Sequence, residues 1–190
     1  MPPQPSMSHN RPHAEASLMA AEPAIGTWRS EIDVRAAPEH VLATLTDPDA
    51  CAAWSPVGFE VDGLDSSRLR TGTKVAVSGR LAGRPVRFCV EVFRADSDRL
   101  VLRAAGPVEM KALYVVRPVA DGSRVDAAIS VHRAPGRRGG LAAHAACILL
   151  GAGALNRTLA RVAREAERRH SSSRRSRRRE RLAADTAKAA

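Results

Sequence analysis

Two side chains combine an ionisable group with apolar neighbours, the setting in which proton chemistry can be tuned. Tyr114 lies in Met110-Lys111-Ala112-Leu113-Tyr114-Val115-Val116. Its phenol is the one polar tip on a phase otherwise built from Met110, Ala112 and Val116. A core tyrosine whose hydroxyl finds a backbone partner is the plainer explanation. His144 sits one helical turn from Leu141 and Ile148. Burial would lower an imidazole pKa and could suit it to general-base work. A satisfied, partly buried histidine accounts for the same pattern, and Asn156 is weighed in the same way. His132 shares a strand phase with Asp126 and Ser130 and is expected to face water. Glu109 and Lys111 read as surface charges. Tyr114 and His144 are therefore weak catalytic candidates.

Other chemistries lack their residues. There is no His-Glu-x-x-His run and no Cys/His cluster, so no metal site or cofactor is expected. No glycine-rich phosphate loop is present. Gly151 and Gly153 fall inside an apolar helical pattern instead. Cys51, Cys89 and Cys147 are odd in number, widely spaced and without a Cys-x-x-Cys pair. Small buried hydrophobes in a reducing, cytoplasmic compartment are the simplest reading.

The elements that would position these residues follow from hydrophobic period. Trp28, Ser30, Ile32 and Val34 alternate with Arg29, Glu31, Asp33 and Arg35, which predicts a strand with one wet face. Pro38 and Glu39 open a short helix, and Asp47-Pro48 breaks it and starts a second. A run of strands follows from Phe59 to Arg133, separated by turn residues such as Ala120-Asp121-Gly122-Ser123. The short links predict consecutive antiparallel hairpins. After Arg133 to Gly140 a long helix is expected to about Arg169. Leu141, Ala145, Ile148, Ala152, Leu155, Leu159, Val162 and Ala166 would form its buried stripe. The apolar run from Leu141 to Leu155 is about fifteen residues, short of the roughly twenty a membrane span needs.

The chain has 190 residues, of which 44% are apolar and only 3% aromatic, so the core must be aliphatic. Its net charge of +10 is uneven. From Arg168 onward there are nine basic residues against Glu180 and Asp185. The extreme isoelectric point thus belongs to a tail, and a nucleic-acid reading drawn from it would be a reading of that tail. Residues 1–24 read as a disordered leader without a secretory signal, 25–169 as one domain, and 170–190 as a disordered, Arg-rich tail.

In this order of elements the chain resembles the START-like (SRPBCC) superfamily, in its polyketide cyclase/dehydrase and lipid-transport branch. The resemblance rests on Ile32-Asp33-Val34-Arg35-Ala36-Ala37-Pro38-Glu39-His40-Val41 and on Leu45-Thr46-Asp47-Pro48-Asp49-Ala50 with Trp54-Ser55-Pro56. It rests also on Arg70-Thr71-Gly72-Thr73-Lys74-Val75 and Gly122-Ser123-Arg124-Val125, and it spans about Thr27 to Glu167. It implies an α+β helix-grip fold: a curved antiparallel sheet of about seven strands around a long C-terminal helix, with two short helices after the first strand. It further implies a cavity for apolar or amphipathic small molecules, and in some members cyclase or aromatase activity. Fold alone licenses a pocket and not a reaction.

The expected pocket wall is Trp54, Val77, Leu81, Phe88, Val90, Met110, Ala112, Tyr114, Ile129, His144, Ile148 and Ala152. Its hydrocarbon character favours binding or carriage of a lipid- or polyketide-like molecule over catalysis. A polyketide cyclase or aromatase is the alternative. A third possibility is non-specific polyanion contact (RNA, ribosome or anionic membrane) through Arg168, Arg169, Arg174, Arg175, Arg177, Arg178, Arg179 and Arg181.

Overall fold

The computed structural model describes residues 24–54, 59–62, 68–81, 83–132 and 137–189. Strand β1 (Gly26–Val34) leads into helices α1 (Pro38–Thr46) and α2 (Pro48–Trp54). Strands β2 (Phe59–Asp62), β3 (Lys74–Leu81), β4 (Arg84–Ala95), β5 (Arg99–Ala105), β6 (Glu109–Val119) and β7 (Gly122–His132) follow. Helices α3 (Arg137–Gly151) and α4 (Ala154–Ala189) complete the chain. The strands form one antiparallel sheet in the order β1-β7-β6-β5-β4-β3-β2. Strands β2 to β7 are a meander, and β1 closes on β7 with Trp28 opposite Ile129 and Ile32 opposite Val125. A register shift between Val92 and Arg94 bends β4.

The corner between the short helices is built by Asp47. Its Oδ1 accepts hydrogen bonds from the backbone N–H groups of Asp49 (2.9 Å) and Ala50 (3.3 Å). Pro48 occupies the first turn, where a missing N–H costs nothing. Helix α1 buries Val41, Leu42 and Leu45. Helix α4 lays Leu155, Leu159, Val162 and Ala166 against Val92, Leu100, Val116 and Val125. This places the main core on the concave side of the sheet.

The C-terminal helix differs from the expected one in three ways. It is broken: Gly153 takes φ +81°, and its N–H reaches the Leu150 carbonyl at 3.0 Å. Only glycine holds that left-handed conformation without steric cost, so Gly153 ends α3 instead of packing inside a continuous helix. The phase of α3 is also different. Ala143 and Ala146 face Val108 and Val131, whereas Leu141 is 73% and Ile148 58% exposed. Small side chains let the helix approach the sheet closely, and the larger residues turn outward. Lastly, α4 continues through the Arg-rich stretch to Ala189, where disorder was expected. Arg, Ala, Glu and Lys are good helix formers, and that stretch contains neither Gly nor Pro. The leader lies outside the described residues.

The outer face near β6 and β7 is drier than its polar residues suggest. Lys111, Ser130 and His132 are all buried, so neither Lys111 nor His132 is the wet-face residue expected from alternation. The register sets Glu109 opposite His132 and Lys111 opposite Ser130 on two central strands. Arg103 holds Glu109 through two hydrogen bonds of 2.8 Å, and Thr27 shares a hydroxyl contact of 3.0 Å with Ser130. The Arg103 hydrogen bonds hold the Glu109 carboxyl below its ordinary range.

Candidate functional site: a cavity between sheet and helices

Helix α4 packs mainly over β1 and α1, and the inner faces of β3 and β5 receive lighter cover, from α3 and α1. Those faces are nevertheless apolar. The result is a cavity of about 440 Å³, within the usual range for small-molecule pockets. Its floor is Val75, Val77, Val86, Phe88, Val90, Leu100, Leu102, Met110, Ala112 and Ile129. The corner helices add Leu45, Pro48 and Cys51, and α3 adds Ala146, Leu149 and Leu150. Helix α4 contributes Ala154, Leu155, Thr158, Arg157 and Arg161. Gly79, Ala104, Ala112, Ala146 and Ala154 keep the space open, because larger side chains there would fill it.

Polar groups on this wall are few. Tyr114 is 5% exposed, and burial pushes its hydroxyl above the ordinary phenol pKa, with Cys51 adding to the effect. No hydrogen bond holds it among the described residues. The phenol stands on the cavity wall. The Cys51 thiol is pushed up to about 12 by burial and by the nearby Asp47 charge. Its Sγ approaches the Leu45 carbonyl at 3.6 Å. A thiol so placed stays protonated and is a poor nucleophile. Thr158 is buried on the same wall. Among the described lining residues there is no carboxylate and no imidazole.

An ionic bridge holds the wall's helices together. Arg169 Nη1 donates to Asp47 Oδ2 at 2.7 Å, and Arg169 Nε donates to Glu165 Oε1 at 2.8 Å. Burial works against the Asp47 charge, yet the Arg169 hydrogen bond and the backbone N–H groups of Ala50 and Asp49 outweigh it and lower the pKa. Among the described residues no three His, Cys, Asp or Glu side chains gather where a metal could bind. No described helix is long and apolar enough to cross a membrane.

The residues expected at the pocket divide cleanly. Val77, Phe88, Val90, Met110, Ala112, Tyr114 and Ile129 lie on the cavity wall. His144, Ile148 and Ala152 do not: all three are exposed, because α3 turns its alanines to the sheet. A solvent-facing His144 has no access to the cavity as a base. Asn156 is exposed as well. The side chains of Trp54 and Leu81 lie outside the described residues. The wall also contains residues that the sequence reading missed. Leu100, Leu102 and Ala104 alternate with Arg103 and were open to the same phase argument. Cys51, Leu150 and Thr158 come from helices whose facing depends on packing.

Residues 27–167 match the family described as Polyketide cyclase / dehydrase and lipid transport. The chain belongs to this family. No curated protein matches the chain in sequence. Among solved structures, an aromatase/cyclase from a Streptomyces species is 16% identical with a TM-score of 0.59, over 76% of this chain and 94% of that one. A protein from Chromobacterium violaceum is 18% identical with a TM-score of 0.57, over 76% of this chain and 99% of that one. A protein from Thermus thermophilus is 19% identical with a TM-score of 0.54, over 78% of this chain and 99% of that one. At these identities the likeness concerns the fold. The α+β helix-grip architecture expected from the sequence is what the family's members share with this chain.

Proposed function

We propose that this member of the family binds and carries an apolar small molecule, lipid- or polyketide-like, in the cavity between the sheet and the C-terminal helices. The observation that carries this reading is the wall itself: about 440 Å³ lined almost wholly by hydrocarbon, with the Tyr114 phenol among the few polar groups on it. Burying apolar ligand surface there supplies the main driving force, about 25 cal/mol per Å² before the costs of association. Tyr114 would donate a hydrogen bond to one ligand oxygen. Native mass spectrometry of the gently purified protein, followed by organic extraction, tests this. A co-purifying or titratable apolar ligand supports it. A protein that takes up no apolar molecule under any condition overturns it.

Cyclase or aromatase activity is the competing reading, and it would rest on Tyr114 alone. A phenol with a raised pKa can donate a hydrogen bond to a carbonyl but is a weak general base at neutral pH. With His144 exposed, no base stands among the described wall residues, which favours carriage. The free thiols of Cys51, Cys89 and Cys147 suit a reducing, cytoplasmic setting.

A further inference from the structure

Helix α3 is inverted by the standard of a helix that faces water. Towards the sheet it turns small residues, Ala143 and Ala146, which meet Val108 and Val131. Outward it turns bulky ones: Leu141 is 73%, Ile148 58% and Leu149 38% exposed. Leu141, Ala145 and Ile148 recur at helical period, so they share one side of the helix, and Leu149 flanks them. A single exposed aliphatic residue is ordinary, but a contiguous row marks a contact surface. Two observations say what it meets. From Gly139 to Leu155, His144 is the only side chain that carries nitrogen or oxygen. No charge there must shed its water to enter an apolar phase, and a protein partner would find little to orient it. The helical backbone satisfies its own N–H and C=O groups, as lipid requires. The second observation is Leu149, which belongs both to this outer face and to the cavity wall. The apolar exterior and the apolar interior meet at that side chain.

We infer that the outward face of α3 docks on a lipid bilayer, at whose surface the cavity takes up or releases its ligand. This rests on the carriage reading above, because a molecule that suits a hydrocarbon cavity has its main reservoir in a membrane. The docking is shallow. Helix α3 lies in the interfacial plane with Leu141, Ile148 and Leu149 in the acyl boundary, and no described helix is long and apolar enough to span.

Flotation of the full chain with vesicles of phosphatidylcholine alone tests this. Such vesicles carry no net charge, so they exclude simple attraction of the Arg-rich stretch, which a parallel series with added phosphatidylglycerol would include. The wild type should float with both. The double variant L141Q/I148Q should lower partition into the uncharged vesicles by about tenfold or more, because the binding scales with the apolar area inserted. L141M/I148M should keep most of it. Neither residue is among the described lining residues, so dodecanol titrated without vesicles should bind the wild type and L141Q/I148Q alike. Equal partition of the wild type and L141Q/I148Q, or flotation with the anionic vesicles only, overturns the docking face and leaves the cavity reading standing if dodecanol still binds. A dimer in sedimentation that L141Q/I148Q dissociates also overturns it, since the face would then meet a second copy of the chain. Failure of dodecanol to bind either protein overturns the carriage reading, and with it the bilayer as the ligand's source.

Discussion

Arg169 reaches 122 residues back along the chain to place its guanidinium 2.7 Å from the Asp47 carboxylate, joining α4 to the corner between α1 and α2. The same carboxylate caps α2 through its other oxygen. Asp47 thus couples a local turn to the packing of the helix that roofs the cavity. Asp47→Ala should lower stability by about 1–2 kcal/mol, the usual range for a lost cap with an added charged partner. Its folded pKa lies below the ordinary aspartate value. The stabilisation is therefore present above the unfolded-state pKa and is lost as pH falls through the folded one. Urea unfolding of the wild type and the variant from pH 7 downward should show curves that converge under acid conditions. A gap that stays constant with pH would contradict the linkage.

Tyr114→Phe removes the hydroxyl of a buried residue on the cavity wall. Folding stability should change by less than about 0.5 kcal/mol, because no hydrogen bond of that hydroxyl is seen among the described residues. Affinity should fall by about three- to tenfold for ligands bearing an oxygen that reaches the phenol, and stay unchanged for a pure hydrocarbon of the same shape. Thermal melts paired with ligand titration check both halves. A large loss of stability would mean that the hydroxyl has a structural partner after all.

Leu159 and Ile148 fall on the same apolar stripe when the sequence is read as one helix. In the structure Leu159 is 1% exposed and Ile148 58%. Leu159→Ala should cost about 2–5 kcal/mol, the range for a buried leucine that leaves a void. Ile148→Ala should stay within about 0.5 kcal/mol. Chemical denaturation of the two variants measures this difference, and equal costs would mean that α3 continues the phase of α4.

Gly122 has φ +147°, and a Cβ there would lie 2.1 Å from the Val34 carbonyl oxygen. The turn that begins β7 therefore packs backbone to backbone against the end of β1. Gly122→Ala should destabilise by more than about 2 kcal/mol, through backbone strain and the forced separation of β1 from β7. Gly83→Ala is the control: its φ of +78° is also strained, but nothing lies within 4 Å of the added methyl. It should cost about 1 kcal/mol. Comparable unfolding midpoints for the two would remove the close approach as a cause.

Much of this architecture is written in local pattern. The alternation of Met110, Ala112, Tyr114 and Val116 placed the cavity side of β6, because charged Glu109, Lys111 and Arg117 mark the other phase. The same alternation misjudged the outer side. Lys111 and His132 are charged or polar by type, but central strands flanked by β5 and β1 can shield them. The helix was harder. From Leu141 to Leu155 nearly every residue is apolar, so period alone cannot say which face meets the sheet. The choice falls to size, and Ala143 and Ala146 win because they allow close approach. Gly153 was readable as a possible stop, yet the apolar pattern runs straight through it. The C-terminal stretch has no apolar pattern that predicts a core, but its Arg, Ala, Glu and Lys residues favour helix by propensity.

The break at Gly153 divides the C-terminal helical region into two parts that are anchored differently. Helix α4 is anchored by Leu155, Leu159, Val162 and the Arg169 bridge, whereas α3 is held mainly by alanine contacts around Val108 and Val131. Backbone amides of α3 should accordingly trade hydrogen with solvent well before those of α4. Earlier exchange in α3 would show that the two halves of this helical region open independently.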